Sequence, residues 1–518
     1  MLARCSSASL RGLEAAEVTV EVDIAPGLPG LQVVGLADTP GRECRERVRA
    51  ALRNSGFRVP LTRVIVSLAP AELRKEGPAF DLPIALGLLL ASGQLAPERL
   101  DGVWSAGELG LDGSLRPVRG VIALALAARR SGARALVVPA ANGSEALLVE
   151  GLTVWPAERL DQVEALLADP RQASCCPSPP AIKALPPPEL ADVRGQEHGR
   201  RALEIAAAGN HHLLLVGPPG SGKTMLARRL AGLLPPLPRA EALELTQVYS
   251  VGGLLRPHTA LVAQRPFRSP HHSCTGAALI GGGSIPRPGE LSLAHHGVLF
   301  LDELTEFRRE VLDQLRQPLE EGEVWISRSR ERSRFPCRVA LVAATNPCPC
   351  GWFGDPQRAC RCGEALRQRY WSRLSGPLLD RIDLQVVMRR LEADDLLGPA
   401  SLSPTAPTTA PISRPGTATV ALLVAEARQR MVERNPGGCA NSALSSADLQ
   451  QHSRISTEGM ELWRQAIRQR RLSARAAERL LRVARTIADL DNAEAVDPAH
   501  LAEALTYRSF DQWQASDP

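Results

Sequence analysis

HHLLLVGPPGSGKT, residues 211–224, opens with an apolar run from His212 to Val216 and breaks at Gly217 into a turn of glycine and proline. The run is short, continuous and without alternation, which reads as a buried parallel strand. The turn fits G-x-x-x-x-G-K-[ST] with Gly217, Gly222, Lys223 and Thr224, and the residues that follow, MLARRLAGLL, carry a helical pattern. Strand, glycine turn and helix in that order are the context a phosphate-binding loop requires. The loop Gly217, Pro218, Pro219, Gly220, Ser221, Gly222 lets backbone N–H groups close around phosphates, and the helix N-terminus adds partial positive charge. In such a loop the lysine, here Lys223, reaches the β- and γ-phosphates, and the Thr224 hydroxyl ligates Mg²⁺.

Working outward, GVLFLDEL at 297–304 is a second apolar strand, ending in Asp302 and Glu303. A strand-end acidic pair is common by itself. Downstream of a phosphate loop each member has a defined role, the Asp holding Mg²⁺ and the Glu polarising the attacking water. A third strand, RVALVAATN, ends at Asn346 and is preceded by a predicted β-hairpin over 318–340 carrying Arg328, Arg330, Arg332 and Arg334. Arginines on a hairpin are either a solvated edge or contacts to nucleic-acid phosphates, which would be salt-sensitive. Between the first helix and the second strand lies an insertion, 240–297, with Arg265, Arg268, His271 and His272 among flexible glycines. It reads either as a solvated loop or as a mobile loop touching DNA or a partner. Its His-His pairs have no carboxylate or Cys at helical ligand spacing, so no metal is assigned to them.

Directly after the third strand comes NPCPCGWFGDPQRACRC, with Cys348 and Cys350 in one C-x-C and Cys360 and Cys362 in another. Four thiolates in two close pairs suit tetrahedral Zn²⁺. The spacing is tighter than the usual C-x₂-C, so a redox-sensitive cluster and plain structural thiols stay open beside zinc.

Bulk properties bound the rest. A length of 518 residues suggests about three domains. With 44% hydrophobic residues, there is ample material for packed cores. No apolar run approaches the ~20 residues of a membrane span, and the first residues lack a signal-peptide core, so a cytoplasmic protein is expected. The 11 cysteines are odd in number and unevenly placed, which argues against a secreted disulfide framework. A net charge of +5 is compatible with nucleic acid without requiring it, and 3% aromatics disfavour binding by extensive base stacking. Residues 1–168 alternate β-like and helix-like runs, an α/β or α+β domain; 169–190 form a proline-rich linker with Cys175 and Cys176 as ordinary thiols; 191–392 are the phosphate-loop core. A low-complexity linker, 393–418, then leads to helical residues 419–518.

The segment GLPGLQVVGLADTPGRECRERVRAAL, 27–52, resembles the N-terminal domain of the Mg-chelatase-like AAA+ ATPases of the YifB/ComM family, whose fold is akin to the Lon protease domain. The resemblance extends over nearly the whole chain. It implies an α/β multidomain protein: a Lon-like N-terminal domain, a central AAA+ core of the helix-2-insert and presensor-hairpin group, and a C-terminal helical lid. A protease is disfavoured, because Ala79 stands where the Lon-type Ser would be and Ile122 where its Lys would be. By the same resemblance Gln196 contacts adenine and Asn346 is the sensor that orients the hydrolytic water. LSGPLLDRIDLQVV, 374–387, makes Arg381 an arginine finger reaching into a neighbour's site, and the helix from Leu472 makes Arg475 the sensor-2 arginine. The implied activity is ATP hydrolysis with Mg²⁺ by a homo-oligomeric ring, expected to be hexameric, acting as a helicase or branch-migration motor on single-stranded or branched DNA, with no membrane partner. The alternatives are a Mg-chelatase-type ATPase assisting metal insertion, although no integrin-like metal-binding domain is recognisable here, and a nucleotide-switched regulator of a protein client.

Overall fold

The computed structural model describes residues 2–508 apart from 74, 76, 170, 172–186, 257–260, 284–285, 329–330 and 392–414. Cys175, Cys176, Arg330 and most of both linkers lie outside the described residues. At the N-terminus, β1 (Leu2–Arg11) and β2 (Glu14–Ala25) pair antiparallel in register from Leu2↔Asp23 to Arg11↔Glu14. They are joined by β3 (Gly30–Val34), β4 (Arg63–Ala69), β5 (Val103–Ser105), β6 (Ala135–Pro139) and β7 (Thr153–Ala157) in a seven-stranded mixed sheet of order β3-β4-β2-β1-β5-β6-β7. The helix Asp81–Ala91 is buried at every position, so it reads as apolar all round and not as an amphipathic stripe. Its one acid, Asp81, is matched by Arg47, whose Nε lies 2.7 Å from Oδ2.

The core sheet is parallel. Its strands are β8 (Leu213–Val216), β9 (Phe267–Arg268), β10 (Val298–Leu301), β11 (Ala340–Thr345) and β12 (Leu384–Val387), in the order β9-β10-β11-β8-β12. Residues of β8, β10 and β11 are buried throughout, as expected for parallel strands covered by helices on both faces. The order reverses at β8, between β11 and β12, so the crevice at the carboxyl end of β8 is the topological switch point where ligands bind in open α/β sheets. The loop 217–222 leaves β8 into that crevice and feeds the helix Lys223–Leu233.

The C-terminal helices Thr417–Arg434, Thr457–Gln469, Ala474–Leu490 and Pro498–Thr506 are not a detached cap. Val420, Val424, Ala427 and Met431 share one hydrophobic cluster with Leu213, Leu215, Leu226 and Leu230 of the core. Among the described residues, no helix is long and apolar enough to cross a membrane.

The insertion expected as a loop is largely folded. It begins with the helix Arg239–Gly252, against which the N-terminal domain docks. Gly120 N donates to Ser250 O at 3.2 Å, and the Gln247 amide donates to Leu13 O at 2.6 Å. The Ser250 hydroxyl donates to Glu145, a carboxyl whose pKa burial pushes up. Ala79 and 117–119 line a cavity of about 110 Å³, whereas Ile122 is buried in the core and bonds through its N–H to Glu145. The two protease-like positions therefore do not meet, and neither Ala79 nor Ile122 carries a nucleophile or a base.

Candidate active site

The loop 217–222 owes its path to glycine. Gly220 and Gly222 have φ of +80° and +87°, left-handed values that L side chains rarely adopt. At Gly217 a Cβ would come within 2.7 Å of Met388 O, so the loop cannot carry a side chain there without moving. Lys223 at the helix start turns back over the loop. Its Nζ donates to Gly217 O at 2.7 Å, Pro218 O at 2.9 Å and Asn346 Oδ1 at 3.2 Å. Burial lowers its pKa to about 8, with Asp302 pulling the other way. The loop and Asn346, at the end of β11, thus meet on one ammonium.

Thr224 and Asp302, the two residues expected to serve Mg²⁺, also meet: Thr224 Oγ1 donates to Asp302 Oδ2 at 2.7 Å. A hydroxyl and a carboxylate at the ends of adjacent elements are the hard oxygen donors that ion takes, so the pair fits it. Glu303 sits beyond, with φ of +53°, an unusual conformation for a residue with a side chain and one found at strained functional positions. Its N–H donates to Asp302 Oδ1 at 3.0 Å, and its carboxylate pairs with His272 Nδ1 at 3.1 Å. By sequence His272 is one more loop residue; it is 31 positions from Glu303, and no local signal joins them.

Gln196 is 7% exposed, and its amide nitrogen donates to Ser221 O at 3.2 Å and Arg389 O at 2.8 Å. Both donors are engaged by the backbone. They tether the loop to the segment following β12.

Arg381 and Arg475 lie elsewhere. They line a cleft of about 720 Å³ with Glu320, Arg338, Asp383 and Arg479, and among the described lining residues none comes from 217–224. Arg381 donates to Pro377 O at 2.7 Å and pairs with Glu320, while Arg475 is exposed at the start of its helix.

The arginines expected to touch DNA divide. Arg265 donates to Pro235 O and His296 O, both at 2.6 Å, and pairs with Glu241 at 3.2 Å; its side chain is 9% exposed. Arg268 is bound in a fork to Glu290, both contacts at 2.7 Å. Both are engaged in internal ties. The hairpin expected at 318–340 is present as Glu323–Arg328 paired with Glu331–Pro336. Arg330 is outside the described residues, and only the backbone of Arg328 is described, at the end of its strand. On the exposed face Arg334 pairs with Glu323, and the Arg332 guanidinium stacks 4.1 Å from the ring centre of Trp325. Trp325 is 41% exposed, and reading the hairpin for its arginines alone passes over it.

The four clustered cysteines do converge. Cys348 Sγ lies 3.3 Å from Cys350 Sγ and 3.6 Å from Cys360 Sγ, and all four sulfurs are within 4.8 Å of one another. Burial raises Cys348 to about 12. Cys350 feels a burial penalty too, but hydrogen bonds from the amides of Arg361 and Trp352 and with the Cys348 and Cys362 thiols together take it down to about 6. A second group, Glu244 with His295 and His296, is brought together by the helix Arg239–Gly252. His295 Nδ1 accepts from Arg338 N at 3.0 Å, which leaves the proton on Nε2 to donate to Glu244 at 3.2 Å. With both ring nitrogens occupied, that trio is a hydrogen-bonded tie and not a metal cradle.

Comparison with known proteins agrees with this architecture. Family models match three segments: "Magnesium chelatase, subunit ChlI" at 189–396, "Subunit ChlI of Mg-chelatase" at 20–142 and "Magnesium chelatase, subunit ChlI C-terminal" at 415–508. An uncharacterized protein, YifB of Escherichia coli, is 44% identical over 502 residues, 97% of this chain and 96% of its own. The competence protein ComM of Haemophilus influenzae is 43% identical over 515 residues, 98% of each. A Lon protease 2 of Bacillus subtilis is 30% identical over 178 residues, 31% of each chain. With the phosphate loop, its acidic partners and end-to-end similarity of this degree, the chain belongs to the YifB/ComM family of Mg-chelatase-like AAA+ proteins.

Proposed function

We propose that this protein binds and hydrolyses ATP and couples turnover to movement of DNA as a homo-oligomeric, hexameric ring of the helix-2-insert and presensor-hairpin group. The observation that carries the ATPase reading is the meeting of Lys223, Asn346, Thr224 and Asp302 at the carboxyl end of β8, with Glu303 alongside. Mg²⁺ bound by Thr224 and Asp302 supplies neutralisation of phosphate charge. Lys223 exchanges its loop carbonyls for the β- and γ-phosphate oxygens. Asn346 orients the attacking water, and Glu303, freed from His272, accepts a proton from it. Arg381 and Arg475 share a cleft of their own, which supports a role for both in a neighbouring subunit's site and hence an oligomer. Arg381, released from Glu320, stabilises charge on the transferring phosphoryl group.

The DNA reading is supported by the exposed hairpin face, where Trp325 offers a stacking plane beside Arg332 and Arg334, and by the name of the Haemophilus influenzae relative, a competence protein. Arg328 and Arg330 extend the same hairpin in sequence. The magnesium chelatase family models favour a second reading, assistance to metal insertion. Steady-state ATPase with and without single-stranded DNA, from low to high salt, separates the two. Stimulation that fades with salt is expected for the DNA motor, and Trp325→Ala should blunt it. Clean basal turnover that DNA never stimulates would sink the motor and move weight to a protein or porphyrin-pathway client.

A further inference from the structure

Asn346, the amide that accepts from Lys223, is followed by Pro347 and then Cys348, which is fully buried. Between β11 and the helix Glu364–Trp371 the chain contains only turns and bends, so little regular hydrogen bonding holds it. What lies at its centre is sulfur. The Cys350 and Cys360 sulfurs are 3.6 Å apart, completing a triangle of 3.3, 3.6 and 3.6 Å with Cys348, and Cys362 stands within the same group. Thiolates about 2.3 Å from a tetrahedral zinc ion are separated by about 3.8 Å. The measured edges fall short of that by a few tenths of an ångström, a gap that side-chain rotation closes. A disulfide needs sulfurs about 2.05 Å apart, much further from what is seen.

This loop touches the nucleotide site at three points. Pro347 is the single residue between Cys348 and Asn346, and its carbonyl is held by Trp371 Nε1 at 3.0 Å. Gly351 has φ of +83°, and a Cβ there would come within 2.7 Å of Pro219 Cδ, so the cysteine loop lies backbone-on against the phosphate loop. Trp352 carries the Arg358 guanidinium at 4.5 Å and the Arg390 guanidinium at 5.8 Å from its ring centre. Arg390 in turn follows Arg389, whose carbonyl is tethered by Gln196.

We propose that a zinc ion held by Cys348, Cys350, Cys360 and Cys362 is the mould of the nucleotide pocket: it fixes the position of Asn346 and seats Gly351 against Pro219, so that nucleotide affinity depends on the metal. The inference rests on the nucleotide-site reading above. Four ligands on one irregular loop make metal binding and local folding a single event, and residues that position others lose their effect when displaced by an ångström.

The test measures zinc content by elemental analysis and the affinity for a fluorescent ATP analogue on the same full-length samples. The wild type should hold one zinc per chain. Cys360→Ser with Cys362→Ser should lose it and bind the analogue about tenfold or more weakly. Gly351→Ala, which leaves all four thiols, should keep zinc yet also weaken binding, and wild-type protein stripped of zinc by a chelator supplies the metal-free state if the cysteine variant does not fold. Lys223→Ala is the control for the site itself. If Lys223→Ala binds like wild type, the nucleotide reading fails. If it loses binding while zinc-free and Gly351→Ala proteins bind normally, the coupling alone is overturned. Wild-type protein of full affinity that contains no zinc overturns it as well.

Discussion

Raising the pH from 7 to 9 should weaken ATP binding by about tenfold, and Lys223 is the reason. In the free chain its ammonium is caged by two loop carbonyls and the Asn346 amide oxygen, none of them charged, and burial brings its pKa down to about 8. A triphosphate puts several negative charges beside the same nitrogen, which returns its pKa to at least the usual lysine value of about 10.4. Protonated lysine is then favoured in the complex, so binding above pH 8 takes up a proton, and affinity falls as pH rises between the two pKa values. The sign is fixed by the lower pKa belonging to the free state. At pH 9 only about one free site in eleven retains the charge, given a pKa of about 8, while almost every bound site does; the ratio is the expected tenfold. The assay is equilibrium titration with a fluorescent ATP analogue at saturating Mg²⁺ and constant ionic strength, starting at pH 7 so that the nucleotide's own phosphate ionisation is complete. A flat affinity between pH 7 and pH 9 would refute the argument, since it would mean that Lys223 is charged in both states throughout.

Three further outcomes are expected. Arg381→Ala should bind nucleotide but hydrolyse it about 10³-fold more slowly or worse, and mixing it with Glu303→Gln subunits should restore measurable turnover at shared interfaces; no recovery on mixing speaks against action across a subunit boundary. Asp489→Ala should be among the most damaging changes in the C-terminal helices, because fully buried Asp489 accepts from Arg434 at 2.8 Å, Arg485 at 2.9 Å and Asn441 at 2.8 Å. Removing that carboxylate takes the charge partner from fully buried Arg485 and from half-buried Arg434, a loss of about 3–5 kcal/mol readable by denaturant unfolding. Gly217→Ala forces a Cβ to within 2.7 Å of Met388 O and 2.9 Å of Ser221 Oγ, and should lower the melting temperature and remove the stabilisation that added ATP gives the wild type; unimpaired ATP stabilisation would contradict the loop geometry.

What could be read from the sequence was what is local. The strand at 212–216, its glycine turn and the helix after it are encoded within one short contiguous stretch by apolar continuity and by glycines that alone tolerate the turn, and they stand where they were read. Asp302 and Glu303 were legible for the same reason, as the end of an apolar run. The cysteine pairs announced themselves by spacing, but only the fold brings two pairs ten residues apart to a common centre. The arginines show the limit. Arg265 and Arg332 look alike in a one-dimensional string, yet one is buried against two carbonyls and Glu241 while the other stacks on an exposed tryptophan. Burial is decided by what the rest of the chain places around a residue. The same is true of His272 with Glu303 and of Glu244 with His295, whose partners arrive from other elements.

The single cluster that joins the C-terminal helices to β8 and the phosphate-loop helix has a mechanical consequence. A clamshell swing of Thr417–Arg434 away from the sheet would bring Val420, Val424, Ala427 and Met431 into water, at about 1.5–3 kcal/mol for each larger side chain. Within one chain the parts are therefore geared and not hinged. Under the proposed function, strain raised at Lys223 and Glu303 would pass through this stiff body to its surface, to the Arg381 cleft and the Trp325 hairpin.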